Sequence, residues 1–193
     1  MKKPGERQIF ALLATLSLIG VFSATTNAQE ETYTGTVYSM NGGARSTGFT
    51  LRIKSYTSDE EALRYLTILA EGDQDDFLKA IKNNEMGRLS STRSTGRDLI
   101  VVRKTQLPDG KIRLVVAFER WPTFTELRGG YRSLDYPFGI MEIILDADGK
   151  KGSGTFIAAC KVDMKRDKKT GKYQLELENF GTYPHKVMGV RRR

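Results

Sequence analysis

The sequence predicts a mainly β domain of the α+β class, an antiparallel meander of about eight strands that forms a small barrel or a strongly coiled sheet. Apolar and polar residues alternate over many short segments, as in strands with one wet face. The links between the later segments are short and turn-like, which forces neighbouring strands to be antiparallel. One stretch, residues 57–84, has helical periodicity instead, which predicts a helix pair inserted after the second strand.

The chain begins with the three parts of a secretory signal peptide. Basic residues lead into an apolar run, Ile9–Phe22, and small residues follow up to position 28. As a helix this run would reach about 21 Å, against roughly 30 Å of bilayer hydrocarbon, so an uncleaved anchor is the lesser alternative. We expect export to the periplasm or the extracellular space, removal of residues 1–28, and one mature domain at 29–193 without a transmembrane segment.

The expected mature chain is basic. Residues 1–28 hold three of the 31 Lys and Arg and one of the 23 Asp and Glu, which leaves 28 against 22, or +6. A basic exported protein tends to meet anionic surfaces, such as phospholipid headgroups or envelope polymers. Solubility alone is the alternative explanation of the charge. We do not expect nucleic acid as a partner, and the oligomeric state stays open.

Eight segments carry the strand pattern. Two of them, Asp98–Lys104 and Phe138–Asp146, have a nearly continuous apolar middle and are expected to be central strands. In chain order, the eight predicted strands are Tyr33–Met40, Phe49–Tyr56, Asp98–Lys104, Lys111–Glu119, Phe138–Asp146, Gly154–Lys165, Tyr173–Glu178 and Tyr183–Arg191.

The helical insertion has readable ends. Residues 57–60, Thr-Ser-Asp-Glu, predict a capping box, and Gly72 predicts the stop of the first helix. A second helix is expected from Asp73 until two asparagines end it at 83–84. Residues 90–96 are expected to be a polar linker. The tetrapeptide RSTG precedes two strands, at Arg45–Gly48 and Arg93–Gly96, which we attribute to composition.

Metal and nucleophile chemistry is not expected. With one cysteine, Cys160, and one histidine, His185, the chain can form neither an intrachain disulfide nor a structural zinc site. With a side-chain period of two residues, Cys160 lies on the same apolar face of the predicted strand as Phe156, which predicts a buried thiol. Asp146-x-Asp148-Gly149 lacks the remaining ligands of a calcium loop and predicts a turn. We expect no cofactor, no metal and no identifiable catalytic residue, although enzyme activity stays open.

Two titratable residues keep a hydrolase alternative open. His185 lies near the start of the last strand, and Glu142 lies inside an apolar strand. Met141, Ile143 and Leu145 make the better core face, so Glu142 is expected on the outer or helix-covered face. In the alternative, with Glu142 inside a barrel, its partner would be an arginine such as Arg113 or Arg103. A hydrolase would need a pocket that holds a perturbed acid and a second titratable group.

The loop at residues 121–137 has the composition of a binding surface. Long loops are uncommon and often functional, and aromatic and arginine side chains are the anchors that interfaces favour. A self-packed loop, in which Arg132 pairs with Asp135, is the alternative. We also expect the aromatic-proline corners at 136–137 and 183–184 to lie at one end of the sheet. The expected ligand-binding residues are Trp121, Arg128, Tyr131, Arg132, Tyr136 and His185.

Three functions follow from these observations. The first is an exported, non-enzymatic binding module for an anionic small molecule, an envelope polymer or an envelope partner. The second is the hydrolase that uses His185 or Glu142. The third is a structural or inhibitory interaction domain that uses an edge strand or the basic tail at residues 191–193.

Overall fold

The computed structural model describes residues 30–39, 45–92, 94–120, 128–129, 132–166, 173–180 and 184–193. Two helices and a short 3-10 turn, Arg132–Asp135, accompany the strands in this part of the chain. The helices are α1 (Asp59–Glu71) and α2 (Gln74–Ile81). The strands are β1 (Glu31–Ser39), β2 (Arg45–Ile53), β3 (Gly87–Ser91), β4 (Ser94–Gln106), β5 (Ile112–Glu119), β6 (Phe138–Leu145), β7 (Lys151–Arg166), β8 (Tyr173–Asn179) and β9 (His185–Arg192).

The strands form a closed antiparallel barrel. Their order is β6-β5-β4-β3-β2-β1-β9-β7-β8, and β6 also pairs with β7. That last pairing closes a ring of eight strands, which contains every described strand except β8. Strand β8 pairs with the second half of β7, from Cys160↔Asn179 to Arg166↔Tyr173. Strand β8 and this half of β7 therefore extend beyond the ring as a hairpin. The predicted fold class is confirmed, with the helix pair between β2 and β3.

Strand β3 lies in a segment that the sequence did not predict as a strand. It is five residues long with a single large apolar side chain, Leu89, and it ends in the serines expected to begin a linker. Backbone pairing with β2 and β4 makes it a strand all the same. The linker expectation for residues 90–96 is therefore wrong, because ladder hydrogen bonds to two neighbours outweigh a weak local pattern.

The interior of the barrel is the main hydrophobic core. Alternate residues of the eight strands point inward, as the period of two requires. On β6 these are Met141, Ile143 and Leu145, each nearly inaccessible to solvent. The other buried members are Tyr33, Phe49, Leu51, Ile53, Met86, Leu89, Leu99, Val102, Leu114, Val116, Phe118, Val187 and Val190.

The helix pair covers one outer wall of the barrel. Ser58 caps helix α1, one residue later than predicted, because Ser58 Oγ accepts from the Glu61 amide at 3.1 Å. The predicted stop at Gly72 and the start at Asp73 are confirmed. Neither described helix is long and apolar enough to cross a membrane. The buried members of this second core are Tyr65, Leu69, Phe77, Ile81, Ile100, Phe138, Cys160 and Val162.

A bulge in β7 divides its side chains between the two cores. Pairing with β6 shifts by one residue between Phe138↔Cys160 and Ile140↔Ile157. Phe156 consequently packs against the barrel interior, whereas Cys160 packs under the helices. The expectation that both share one face is wrong, because one extra residue reverses the alternation. The thiol is fully buried, as predicted, and burial raises its pKa to about 12.

An ionic cluster surrounds the buried carboxylate of Glu31 at the barrel end near the start of β1 and the end of β9. Lys104 Nζ donates to both carboxylate oxygens of Glu31, at 2.8 and 3.2 Å, and Arg192 lies at 3.5 Å. Tyr33 donates its hydroxyl hydrogen to the same carboxylate, and Tyr56 lies beside it. Burial opposes ionisation of Glu31, but the hydrogen bonds, led by Lys104, outweigh it and lower its pKa. We call these five residues the base cluster.

Replacement of Gly154 by alanine tests the closure of the barrel. A Cβ at Gly154 would lie 1.8 Å from the Glu142 carbonyl oxygen, inside the β6–β7 ladder. We expect Gly154→Ala to lower the free energy of unfolding by about 3 kcal/mol, measured by urea denaturation. Ser153→Ala, at the exposed neighbouring position, is the control. Equal stability of the two variants would contradict the close approach.

Acid titration tests the base cluster. Because the folded state lowers the pKa of Glu31 below its ordinary 4.5, its ionised form stabilises the fold above that pH. This stabilisation is lost as pH falls through the lower, folded value. We expect the melting temperature of Glu31→Gln to depend less on pH below 4.5 than that of the wild type. Parallel profiles of the two proteins in this range would show that Glu31 does not contribute.

Candidate ligand-binding site

A cavity lies at the barrel end opposite the base cluster. Four chain connections leave the barrel here: β1 to β2, β3 to β4, β5 to β6, and the approach to β9. The cavity measures about 390 Å³, within the range of roughly 300 to 1,000 Å³ typical of ligand pockets. We call this end the mouth. Its described lining residues are Val37, Ser39, Arg45, Thr47, Phe49, Leu89, Ser90, Ser91, Arg97, Phe118, Met141, Phe156 and His185.

The walls of the cavity are apolar. Six strands each contribute one inward-facing apolar residue to these walls, and three of the six residues are phenylalanines. Two glycines make room for these rings. A Cβ at Gly35 would lie 2.8 Å from the ring of Phe49, and one at Gly139 would lie 2.3 Å from that of Phe118. The cavity therefore has an aromatic interior that a hydrocarbon group can occupy.

The rim of the cavity is basic and rich in hydroxyl groups. Arg45 begins β2 and is exposed, and Arg97 lies near the start of β4, where its guanidinium donates to the Gly96 carbonyl oxygen at 3.1 Å. Ser39, Thr47, Ser90 and Ser91 supply the hydroxyls. No acidic residue occurs among the described lining residues. The arginine fork matches carboxylate and phosphate oxygens, so the rim suits an anionic group.

His185 lies between the rim and the aromatic wall. Its ring centroid is 5.8 Å from that of Phe156, which in turn stacks on Phe118 at 6.1 Å. The Nδ1 atom is buried and has no hydrogen-bond partner in the part of the chain that the structure describes. Burial lowers the pKa of His185, so the imidazole is mainly neutral at neutral pH. An anionic or hydroxyl-bearing group in the cavity would supply a hydrogen-bond partner.

Four residues predicted from the long loop are not among the described lining residues of the cavity. Trp121 and Tyr131 are outside the described residues. Arg128 is exposed in a helical turn at 128–129, and Arg132 begins the 3-10 turn, with its side chain undescribed. Nothing described places any of these four at the mouth.

Tyr136 packs on the outside of the barrel. Its hydroxyl donates to Glu178 at 2.7 Å, and its ring lies 4.9 Å from both the Phe180 ring and Lys161 Nζ. Tyr136 lies two positions before Phe138, which faces outward, and so both residues are on the outer side of the barrel wall. His185 pairs with Phe156 in register and faces inward. Tyr136 and His185 therefore lie near the same barrel end, with Tyr136 outside the wall and His185 inside it.

Sequence reasoning missed the arginines and aromatic rings of the mouth. Arg45 opens the first RSTG copy, and Arg97 directly follows the second. The two copies mark the starts of β2 and β4, which leave the same end of the barrel. The repeat was thus an available signal, although only barrel closure brings these arginines near Phe118 and Phe156.

Glu142 does not share the cavity with His185. It lies on the expected outer wall and is paired with Arg113, which was expected as its partner only inside the barrel, while Arg103 pairs with Asp59. The described lining of the cavity therefore provides His185 without the second, acidic group that a hydrolase would need. No group of three metal-ligating side chains occurs within the described ranges.

No protein-family model, curated protein or solved structure matches this chain. We therefore infer the function from the geometry of the mouth.

The environment of His185 is testable by NMR, because it is the only histidine in the chain. We expect the imidazole to titrate below its ordinary pKa of 6.5. Phe156→Ala should admit water to the ring and raise this pKa towards 6.5. Phe180→Ala, which removes a ring that contacts Tyr136, is the control and should leave the titration unchanged. Titration of the wild type at or above 6.5 would contradict the buried placement.

Proposed function

We propose that this protein is an exported, non-enzymatic binding module that takes a small amphipathic anion into the mouth of its barrel. One observation carries the proposal: an aromatic cavity of about 390 Å³ lies beneath a rim with two arginines and a histidine, without an acid among the described lining residues. An eight-stranded barrel is the size that holds one small ligand. The anionic group would bind at Arg45 and Arg97, and its apolar part would lie against the phenylalanines.

The two ends of the barrel support this assignment of the mouth. At the base cluster, Lys104 and Arg192 share the buried carboxylate of Glu31. At the mouth, the described lining offers cationic and hydroxyl groups but no carboxylate. An anion at the base would lie close to the negative charge of Glu31, whereas the described lining of the mouth places no carboxylate beside it. The cavity also favours a small molecule over a polymer, since its walls bury the ligand on several sides.

Export supports an anionic ligand of this kind without identifying it. The apolar run at the start of the chain has the pattern of a signal peptide. Envelopes are rich in amphipathic anions, and a basic protein encounters them faster than a neutral one. The chemical class is an alkyl or aryl group that carries one carboxylate, phosphate or sulfate.

Calorimetric titration with dodecanoate and dodecanol tests the proposal. The two share an apolar chain and differ in charge, so we expect the carboxylate to bind more tightly. Arg45→Gln and Arg97→Gln should each weaken dodecanoate binding about tenfold, through loss of a charge-assisted hydrogen bond. They should leave dodecanol binding unchanged. Val37→Phe should weaken the binding of both, because the added ring fills the cavity.

Lys186→Gln is the matched control for these variants. It removes a positive charge from the residue next to His185, on the opposite side of the same strand. Dodecanoate should bind this variant as it binds the wild type. A loss as large as that in Arg45→Gln would show a general effect of net charge and refute the mouth as the site. Equal affinity for dodecanoate and dodecanol would also refute it.

A further inference from the structure

The charges of this protein are divided between opposite sides of the barrel. Helices α1 and α2 with their flanking residues 58–82 contain seven acids and three bases, a net −4. They pack on the outer wall of β4, β6 and β7. In the ring order β1-β2-β3-β4-β5-β6-β7-β9, strand β1 is diametrically opposite β5. The wall formed by β9, β1 and β2 is therefore the one farthest from the acidic helices.

That far wall is strongly basic. Strands β1, β2, β3 and β9, with residues 151–157 of β7, contain a single acid, Glu31, which is buried in the base cluster. Asp98 of β4 reaches the edge of this surface and pairs with Arg88 at 2.9 Å. We call the outward side of these segments the basic face. Its exposed cations are Arg52, Arg88, Lys151, Lys186 and Arg191.

The cations lie on adjacent strands in register. Lys151 of β7 is directly opposite Arg191 of β9, and Lys186 is opposite Tyr38 of β1. Like charges directly opposite each other on a sheet are unfavourable. An external anionic surface would relieve this repulsion. Between the cations the basic face carries small side chains, such as Thr34, Thr36 and Thr50, which let a broad partner approach closely.

Two of the most exposed large apolar side chains lie within this charged surface. Tyr38 is 43% exposed and Met188 is 50% exposed. Met188 is opposite Thr36, and Tyr38 is opposite Lys186, so the two apolar side chains are diagonal neighbours on adjacent strands. Aromatic rings at the headgroup level with surrounding lysine and arginine are the composition of membrane-interface surfaces. A soluble polyanion would use the cations without needing this apolar pair.

We propose that the basic face docks on an anionic phospholipid bilayer, with Tyr38 and Met188 inserted among the headgroups and the cations paired with phosphates. Each lysine or arginine near such a surface contributes a roughly fivefold gain in partitioning. This interaction is separate from ligand binding at the mouth, and either proposal can fail without the other. It also leaves the helix pair directed away from the membrane.

Vesicle sedimentation tests the docking. The chain from Gln29, which contains every described element, should bind phosphatidylglycerol-containing vesicles and should not bind pure phosphatidylcholine. Lys151→Glu/Lys186→Glu/Arg191→Glu should weaken this binding about a hundredfold or more. The control Lys79→Glu/Lys82→Glu/Lys111→Glu makes the same change in net charge at positions outside the basic face. We expect it to bind nearly as well as the wild type, and equal losses would refute the proposal.

The apolar pair separates a bilayer from a soluble polyanion. Tyr38→Ser/Met188→Ser keeps every charge and should weaken vesicle binding about tenfold, because less apolar area is inserted. Binding to heparin should be unchanged by these substitutions. Heparin binding without vesicle binding would refute the proposal in favour of a polymer. Circular dichroism of each variant would show that the barrel is intact, and binding of the wild type should fall with added salt.

Discussion

The backbone ladder between β6 and β7 is the interaction on which the other features depend. It joins the two ends of an eight-stranded sheet that would otherwise leave two open edges, and open edges invite pairing with other chains. The strands approach so closely at Gly152 and Gly154 that a Cβ would collide with the β6 backbone. Closure creates the enclosed core and gives the barrel two distinct ends. Without it, the phenylalanines of the mouth would lie on an open sheet and form no cavity.

The two ends of the barrel differ because the base holds a buried carboxylate and the described lining of the mouth holds none. At the base, Lys104, Arg192 and the Tyr33 hydroxyl contact Glu31, so its buried charge is compensated inside the protein. A buried carboxylate without such partners would be strongly destabilising. At the mouth, the described arginines and His185 surround an apolar cavity instead. This difference makes the mouth, rather than the base, the candidate binding site.

Local pattern carried most of the fold prediction. Alternation located eight strands, capping chemistry located both helices, and the composition of β6 placed Glu142 outward. The failures have a common cause. Strand β3 has too few apolar residues to show alternation, and the bulge in β7 reverses the side of Cys160 relative to Phe156. The strand β3 and the bulge in β7 both depend on hydrogen bonds to strands that are distant in the sequence, and a short sequence segment does not show such bonds. The candidate site was predicted less well, since of its lining residues only His185 was expected to bind ligand.

The sequence by itself determined the class of the fold, the burial of its one cysteine, the absence of a zinc-binding set and the outward direction of Glu142. These properties follow from composition and from a side-chain period of two, which are local. Only the tertiary structure decided that Arg45, Arg97 and His185 converge on three phenylalanines, and that the acidic helices lie opposite the basic face. The physical reason is barrel closure, because ring order and register bring together residues more than a hundred positions apart in the chain.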